Sequence, residues 1–199
     1  MPKLTPCVGT LAIIWLLAMP VNAATERYNI VTGGDSEVVF DSHAPLEKFQ
    51  GKTDQVFGWL EVDLNDLSQP VRMEVEVDLA SFDTGKGKRN KHMRENHLET
   101  DKFPKAIFSG GTLSKLTGEQ LLSEEPLEFD LKGTLSLHGV EREMVCHVIL
   151  RRESAEQLKI VAKFEVLLPD YEIKRPKFLI VKLAVDQKVT VTLTMQKES

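Results

Sequence analysis

The sequence predicts an all-β chain, closed as a single antiparallel β-barrel of about eight strands, with one short helical crossover near residues 88–98. Three observations predict it. Apolar and polar residues alternate from near the start of the segment 24–199 to its end, and period two is the mark of a strand with one buried and one wet face. Helical signal is confined to one segment. The strand candidates, about nine of them, follow one another through short polar connections, as a continuous antiparallel sheet does. Their unpaired edges need closure into a barrel or a two-sheet sandwich. Continuous alternation with a single helix favours the barrel.

In chain order, SEVVF (36–40) and QVFGWLEVDL (55–64) come first. VRMEVEVDL follows, with Val71, Met73, Val75, Val77 and Leu79 on one face and Arg72, Glu74, Glu76 and Asp78 on the other. The helix candidate begins near Lys88, meets no Gly or Pro before Leu98, and is stopped by Pro104. AIFSGGTL (106–113) precedes LEFDLKGTLSL, whose inward set Leu127, Phe129, Leu131, Leu135 and Leu137 is interrupted only by Gly133. EMVCHVIL (143–150), LKIVAKFEV (158–166), FLIVKLAV (178–185) and KVTVTLTM (188–195) complete the set, and GGD (33–35), SQP (68–70) and SEEP (123–126) read as turns. A barrel of this size either fills with side chains or holds one small ligand. The expected wall is Val75, Val77, Phe108, Phe129, Leu131, Leu135, Val148, Ile160, Phe164 and Val191. Alternation alone fits a packed core as well as a cavity wall.

The chain has 199 residues. Its opening, MPKLTPCVGTLAIIWLLAMPVNA, has Lys3, an apolar run from Val8 to Met19, and Val21 and Ala23 at the −3 and −1 positions of a cleavage site. Residues 1–23 are therefore expected to be a signal peptide cut after Ala23, and residues 24–199 one domain acting in the periplasm or outside the cell. The apolar run is too short to span a bilayer as a helix, and no transmembrane segment is expected in the mature chain. Cys7 leaves with the leader. Cys146 then has no partner for a disulfide, and its alternation with Met144, Val148 and Leu150 predicts a buried thiol.

The formal net charge is −5, which gives no drive toward nucleic acid. Of the five histidines, only His92 and His97 lie close together, and their separation of five does not put two ligands on one helical face. No metal site and no cofactor are expected, and no nucleophile motif with its base is present, so the chain does not read as an enzyme. His138, ahead of Gly139 at a strand end, reads as a hydrogen bonder stabilising a turn. The segment Lys86 to Arg94 holds Lys86, Lys88, Arg89, Lys91 and Arg94 without an acid. It is either a solvated face, balanced by Glu95, Glu99 and Asp101, or a cationic rim in which Lys88, Arg89, His92 and Arg94 meet the head group of a ligand.

VDLASFDTGKGKRNKHMRENHLETDKFPKAIFSG, followed by LKGTLSLHGVEREM, resembles the YceI-like family of exported lipid-binding proteins. Ser81 to Gly85 matches the family's S-hydrophobic-D-T-G turn. Arg89 to Arg94 matches R-(D/N)-x-H-hydrophobic-R, Leu98 and Glu99 the step after it, Phe103 to Phe108 the (Y/F)-P-x-hydrophobic-x-F strand, and Gly133 to Arg142 the later G-x-L-T-hydrophobic-(H/R)-G-V-T-R run. SEVVFDSHAPLEKFQGKTDQVFGWLEVDL fits the family's first strand and its F-x-G step. Two departures stand out: Glu172 where members often have Gly, and Glu141 in place of Thr. The resemblance implies a lipocalin-like eight-stranded barrel with an apolar pocket for a polyisoprenoid, an isoprenoid quinone or a similar amphiphile, carried or sequestered in the periplasm. Two other readings stay open: a ligand-free structural or interaction barrel, and an enzyme on a lipid-like substrate using His92 and His97. Both a monomer and a homodimer remain open.

Overall fold

A computed structural model describes residues 25–44, 47–117, 125–175, 177–178 and 181–199. The expected leader, residues 1–23, lies outside them. The strands are β1 (Glu26–Ile30), β2 (Glu37–Ala44), β3 (Glu47–Thr53), β4 (Val56–Val62), β5 (Arg72–Asp78), β6 (Lys105–Ser114), β7 (Leu127–Leu137), β8 (Val140–Arg152), β9 (Gln157–Leu167), β10 (Lys177–Phe178), β11 (Val181–Lys182) and β12 (Asp186–Lys197), with helix α1 (Gly87–Asn96) between β5 and β6.

β12 pairs along one edge with both β1, Tyr28 opposite Lys197, and β2, Val38 opposite Val191. β1 also pairs with β4 and β2 with β3. Thus β1 and β2 are successive lengths of one strand position, and β3 and β4 of the next. Each remaining strand pairs with its neighbour in sequence from β4 through β9, and β9 pairs with β12. The result is a closed eight-stranded antiparallel barrel of up-and-down order. β1 and β3 escape a search for alternation because ERYNI and EKFQGKT are short and mostly polar.

One strand expectation is corrected. Among the described residues of 178–185 none joins the barrel sheet: β10 and β11 pair with each other. There is no room for another strand, because β9 and β12 are paired directly from Leu167 opposite Asp186 to Gln157 opposite Gln196. The described residues of 168–185 instead form an excursion between two paired strand ends, tied at its base by the Leu168 amide donating to the Val185 carbonyl at 2.9 Å.

The two barrel ends differ. Toward one lie Tyr28, Leu67, Leu158 and Met195, all at most 1% exposed. The Tyr28 hydroxyl donates to Glu26 at 2.6 Å, and Glu26 in turn meets Lys197 at 2.5 Å. The other end carries α1, the β7–β8 turn and the described residues of 168–185.

The β7–β8 turn is a two-residue hairpin in which His138 (φ 53°) and Gly139 (φ 78°) are both left-handed, the geometry that matches the twist of paired strands. A side chain at Gly139 would also meet the Phe103 ring, 2.7 Å from its Cβ position. Within β7, the one interruption of the apolar face has a steric cause. The Phe108 ring from β6 occupies the place a Gly133 side chain would take.

Glu172 ends a 3-10 turn, Leu168–Tyr171, in the left-handed region at φ 56° and ψ 19°. A Cβ there is strained by about 1–2 kcal/mol, which glycine avoids at a smaller entropic cost. This accounts for the Gly expected at that position. Glu172→Gly is therefore expected to raise the stability by up to about 1 kcal/mol, read as a higher urea midpoint with an unchanged slope; a lower midpoint would refute the strain argument.

Candidate functional site

The inward faces of the barrel strands do not close on one another. They enclose a cavity of ≈ 750 Å³, within the range of about 300–1,000 Å³ usual for small-molecule sites. All ten expected wall residues line it, on β5 through β9 and β12, and Val38, Phe40, Phe49, Leu60 and Val62 of β2–β4 complete the circuit. Cys146 is in the wall too, 3% exposed, and burial pushes its thiol up to about 12, so it behaves as a small apolar group. The remainder of the wall is mostly aliphatic and aromatic.

Polar lining enters mainly at one end, from Lys86, Lys88, Arg89, His92 and His97 on and beside α1, with Gln187 at the foot of β12. No carboxylate is among the lining residues. The helix begins where it does because the preceding turn is knotted to it. The Asn90 side-chain oxygen accepts from the Thr84 amide at 2.9 Å and the Thr84 hydroxyl at 2.6 Å, while the Asn90 amide donates to Asp83 at 2.7 Å. The Asn90 bond, and after it the Gly85 amide, hold the Asp83 carboxyl below its usual range.

Arg89 is bound up in the same knot. It donates through Nε to the Thr84 hydroxyl at 2.8 Å and through its guanidinium to the Thr84 carbonyl at 2.7 Å, and stacks 3.9 Å above the Phe49 ring. Phe49 meets Phe40 edge-on at 6.3 Å, and Phe40 meets Phe82 at 5.3 Å, so an aromatic collar stands beneath the cations. Of the four expected rim residues, Lys88, Arg89 and His92 line the cavity. Arg94 is not among the lining residues; its guanidinium donates to the Ala80 carbonyl at 3.4 Å.

Sequence reasoning passed over His97 as a rim residue, and also the collar. His97 Nδ1 lies 2.9 Å from the Lys174 carbonyl, fastening the end of α1 to the excursion. A carbonyl can only accept, so Nδ1 carries the proton and Nε2 is bare; Nε2 is buried with no hydrogen-bond partner among the described residues. His138, expected to stabilise a turn, spans farther. Its ring lies 3.1 Å from the Tyr171 carbonyl and 3.2 Å from Glu99, joining the β7–β8 turn to the excursion and to the segment after α1. No signal in a single sequence marks either long-range contact.

Among the described residues there is no cluster of three or more His, Cys, Asp or Glu placed to hold a metal ion, and no helix long and apolar enough to cross a membrane. His92 and His97 are neighbours, with ring centroids 5.1 Å apart, but no nucleophile or carboxylate among the cavity-lining residues stands with them.

The YceI-like domain family matches residues 28–197. Three solved structures share the fold. A polyisoprenoid-binding domain from Saccharophagus degradans, implicated in plant cell wall breakdown, is 18% identical with a TM-score of 0.67, over 86% of this chain and 98% of that one. BcnA of Burkholderia cenocepacia is 16% identical with a TM-score of 0.64, over 80% and 95%. The YceI protein of Campylobacter jejuni is 14% identical with a TM-score of 0.56, over 75% and 84%. At these identities the likeness is one of fold. Comparison with curated protein sequences finds no match.

Burial lowers the pKa of His97 below its usual 6.5, partly opposed by the bond to Lys174 and helped by His92 alongside. The neutral ring is thus favoured in the fold. Its contribution to stability is complete above pH 6.5 and is lost as the pH falls from there through the lower folded value, since the unfolded chain takes up the proton first. The thermal midpoint of the native protein is expected to fall between about pH 7 and pH 5, and that of His97→Gln to fall less. Parallel curves for the two proteins would show that His97 does not titrate in this way.

Proposed function

The chain belongs to the YceI-like domain family, and from that premise we propose that it binds one long-chain apolar ligand inside the barrel, a polyisoprenoid, an isoprenoid quinone or a similar amphiphile, as its carrier or sequestering protein. The observation that carries this reading is the cavity of ≈ 750 Å³, apolar along its length and polar only at one end. An amphiphile has that same distribution. Burial is worth about 0.8 kcal/mol per CH₂, so each five-carbon isoprene unit contributes a few kcal/mol before ordering costs. An exposed ion pair at the mouth contributes about 0–1 kcal/mol. The tail supplies affinity, and Lys88, Arg89 and His92 select among heads.

The polyisoprenoid binding of the Saccharophagus degradans domain, which shares the fold, supports this ligand class. The signal-peptide pattern of residues 1–23 supports action in the periplasm or outside the cell. A barrel filled by its own side chains is disfavoured by the open interior. Enzyme chemistry is disfavoured by a lining whose one thiol is sealed and whose histidines have no nucleophile beside them.

Non-denaturing mass spectrometry of protein exported by cells is expected to show one prenyl lipid per chain, and stripped protein should take up geranylgeraniol one to one. Ala162 lines the cavity. Ala162→Trp fills part of it and is expected to weaken that uptake about tenfold or more. Protein that never carries lipid and takes up neither the prenol nor a fatty acid would sink the reading.

A further inference from the structure

We propose that the α1 end of the barrel docks on an anionic lipid surface, with Lys88 and Lys91 at the contact, so that the cavity mouth faces the membrane during ligand exchange.

The charge of the chain is unevenly placed. Against a formal net charge of −5, α1 carries Lys88, Arg89, Lys91 and Arg94 with Glu95 as its only acid. No residue of the helix is buried. Lys88 is exposed, and Lys91 is 70% exposed with a loose 3.8 Å approach to Glu95, a pairing too weak to neutralise it. Of the neighbouring carboxylates, Glu99 is engaged by Lys102 and His138, while Asp83, bonded to Asn90 and the Gly85 amide, and exposed Asp101 keep their charge; residues 83–102 still hold six Lys and Arg against four Asp and Glu. The cavity mouth behind the helix has cations and imidazoles in its lining and no carboxylate, so nothing in that lining repels an anionic surface.

The geometry favours one end for exchange. Tyr28, Leu67, Leu158 and Met195 are buried toward the far end, whereas the polar lining of the cavity lies at the α1 end. The helix also sets the kind of contact. GKRNKHMREN has Met93 as its one large apolar residue, so α1 cannot insert as an amphipathic wedge. Attachment is peripheral and electrostatic, and each Lys or Arg near an anionic surface is worth about fivefold in partitioning.

This proposal rests on the carrier reading for its purpose and not for its test. The purified protein is mixed with phosphatidylglycerol-containing vesicles or with pure phosphatidylcholine vesicles, and floated. It should rise with the anionic vesicles only, and release as the ionic strength goes from about 0.01 M to 0.15 M, which shortens the screening length from about 30 Å to 8 Å. Lys88→Glu with Lys91→Glu should weaken flotation about 25-fold or more. Lys132→Glu with Lys163→Glu makes the same change of charge at exposed positions of the barrel wall and should weaken it far less. No enrichment on anionic vesicles, equal flotation with neutral ones, or equal loss from the wall substitutions would each overturn the proposal. Geranylgeraniol uptake by the native protein without vesicles reads the cavity separately. Uptake without flotation removes docking alone, and flotation without uptake removes the carrier reading alone.

Discussion

Everything in this molecule depends on the closure of its sheet, where β12 meets β1 and β2 on one side and β9 on the other. An open sheet leaves two rows of unpaired backbone groups at its edges; closure satisfies them and fixes the radius. At eight strands the interior is at the threshold between packed and hollow. Here it is hollow because medium-sized aliphatic residues dominate the wall, and because a large ring such as Phe108 leans over Gly133 instead of projecting to the axis.

The same closure makes the two ends unequal. Toward one end Tyr28, Leu67, Leu158 and Met195 are buried, and Glu26 and Lys197 pair close to the strands. At the other, long excursions depart between paired strand ends and must be secured to each other. His138 and His97 do that securing, each joining segments far apart in sequence. The knot around Thr84, Asn90 and Arg89 belongs to the same scaffold, so much of the family signature in this stretch holds α1 in place. The ligand would then meet a mouth whose cations are partly structural.

Fold class and wall were legible because both rest on period two: a strand that turns one face inward writes that fact into every second residue. Val75, Val77, Phe129 and Leu131 could be named from alternation alone. That they border a void and not a solid core could not, since both demand the same residue types. β1 and β3 were illegible because the polar ERYNI and EKFQGKT owe their conformation to pairing partners far along the chain. FLIVKLAV misled for the opposite reason. It has a strand's composition, but β9 and β12 had already taken each other's edges. Arg94 shows the limit on the rim: residues a few places apart on a helix face different ways, and charge alone does not say which way the cavity lies.

The up-and-down order pairs each strand with one already made, except at the seam, where Tyr28 lies opposite Lys197. A chain emerging from its amino end can therefore assemble hairpin after hairpin as a growing curved ribbon with local contacts, which form quickly. The ribbon has no inside. An enclosed interior comes into being only when the last strand arrives and the loop between the two ends of the chain is closed, at the full entropic cost of that length. Loss of a few terminal residues would leave the ribbon nearly whole and β12 paired with β2, yet part the container at the end of its seam.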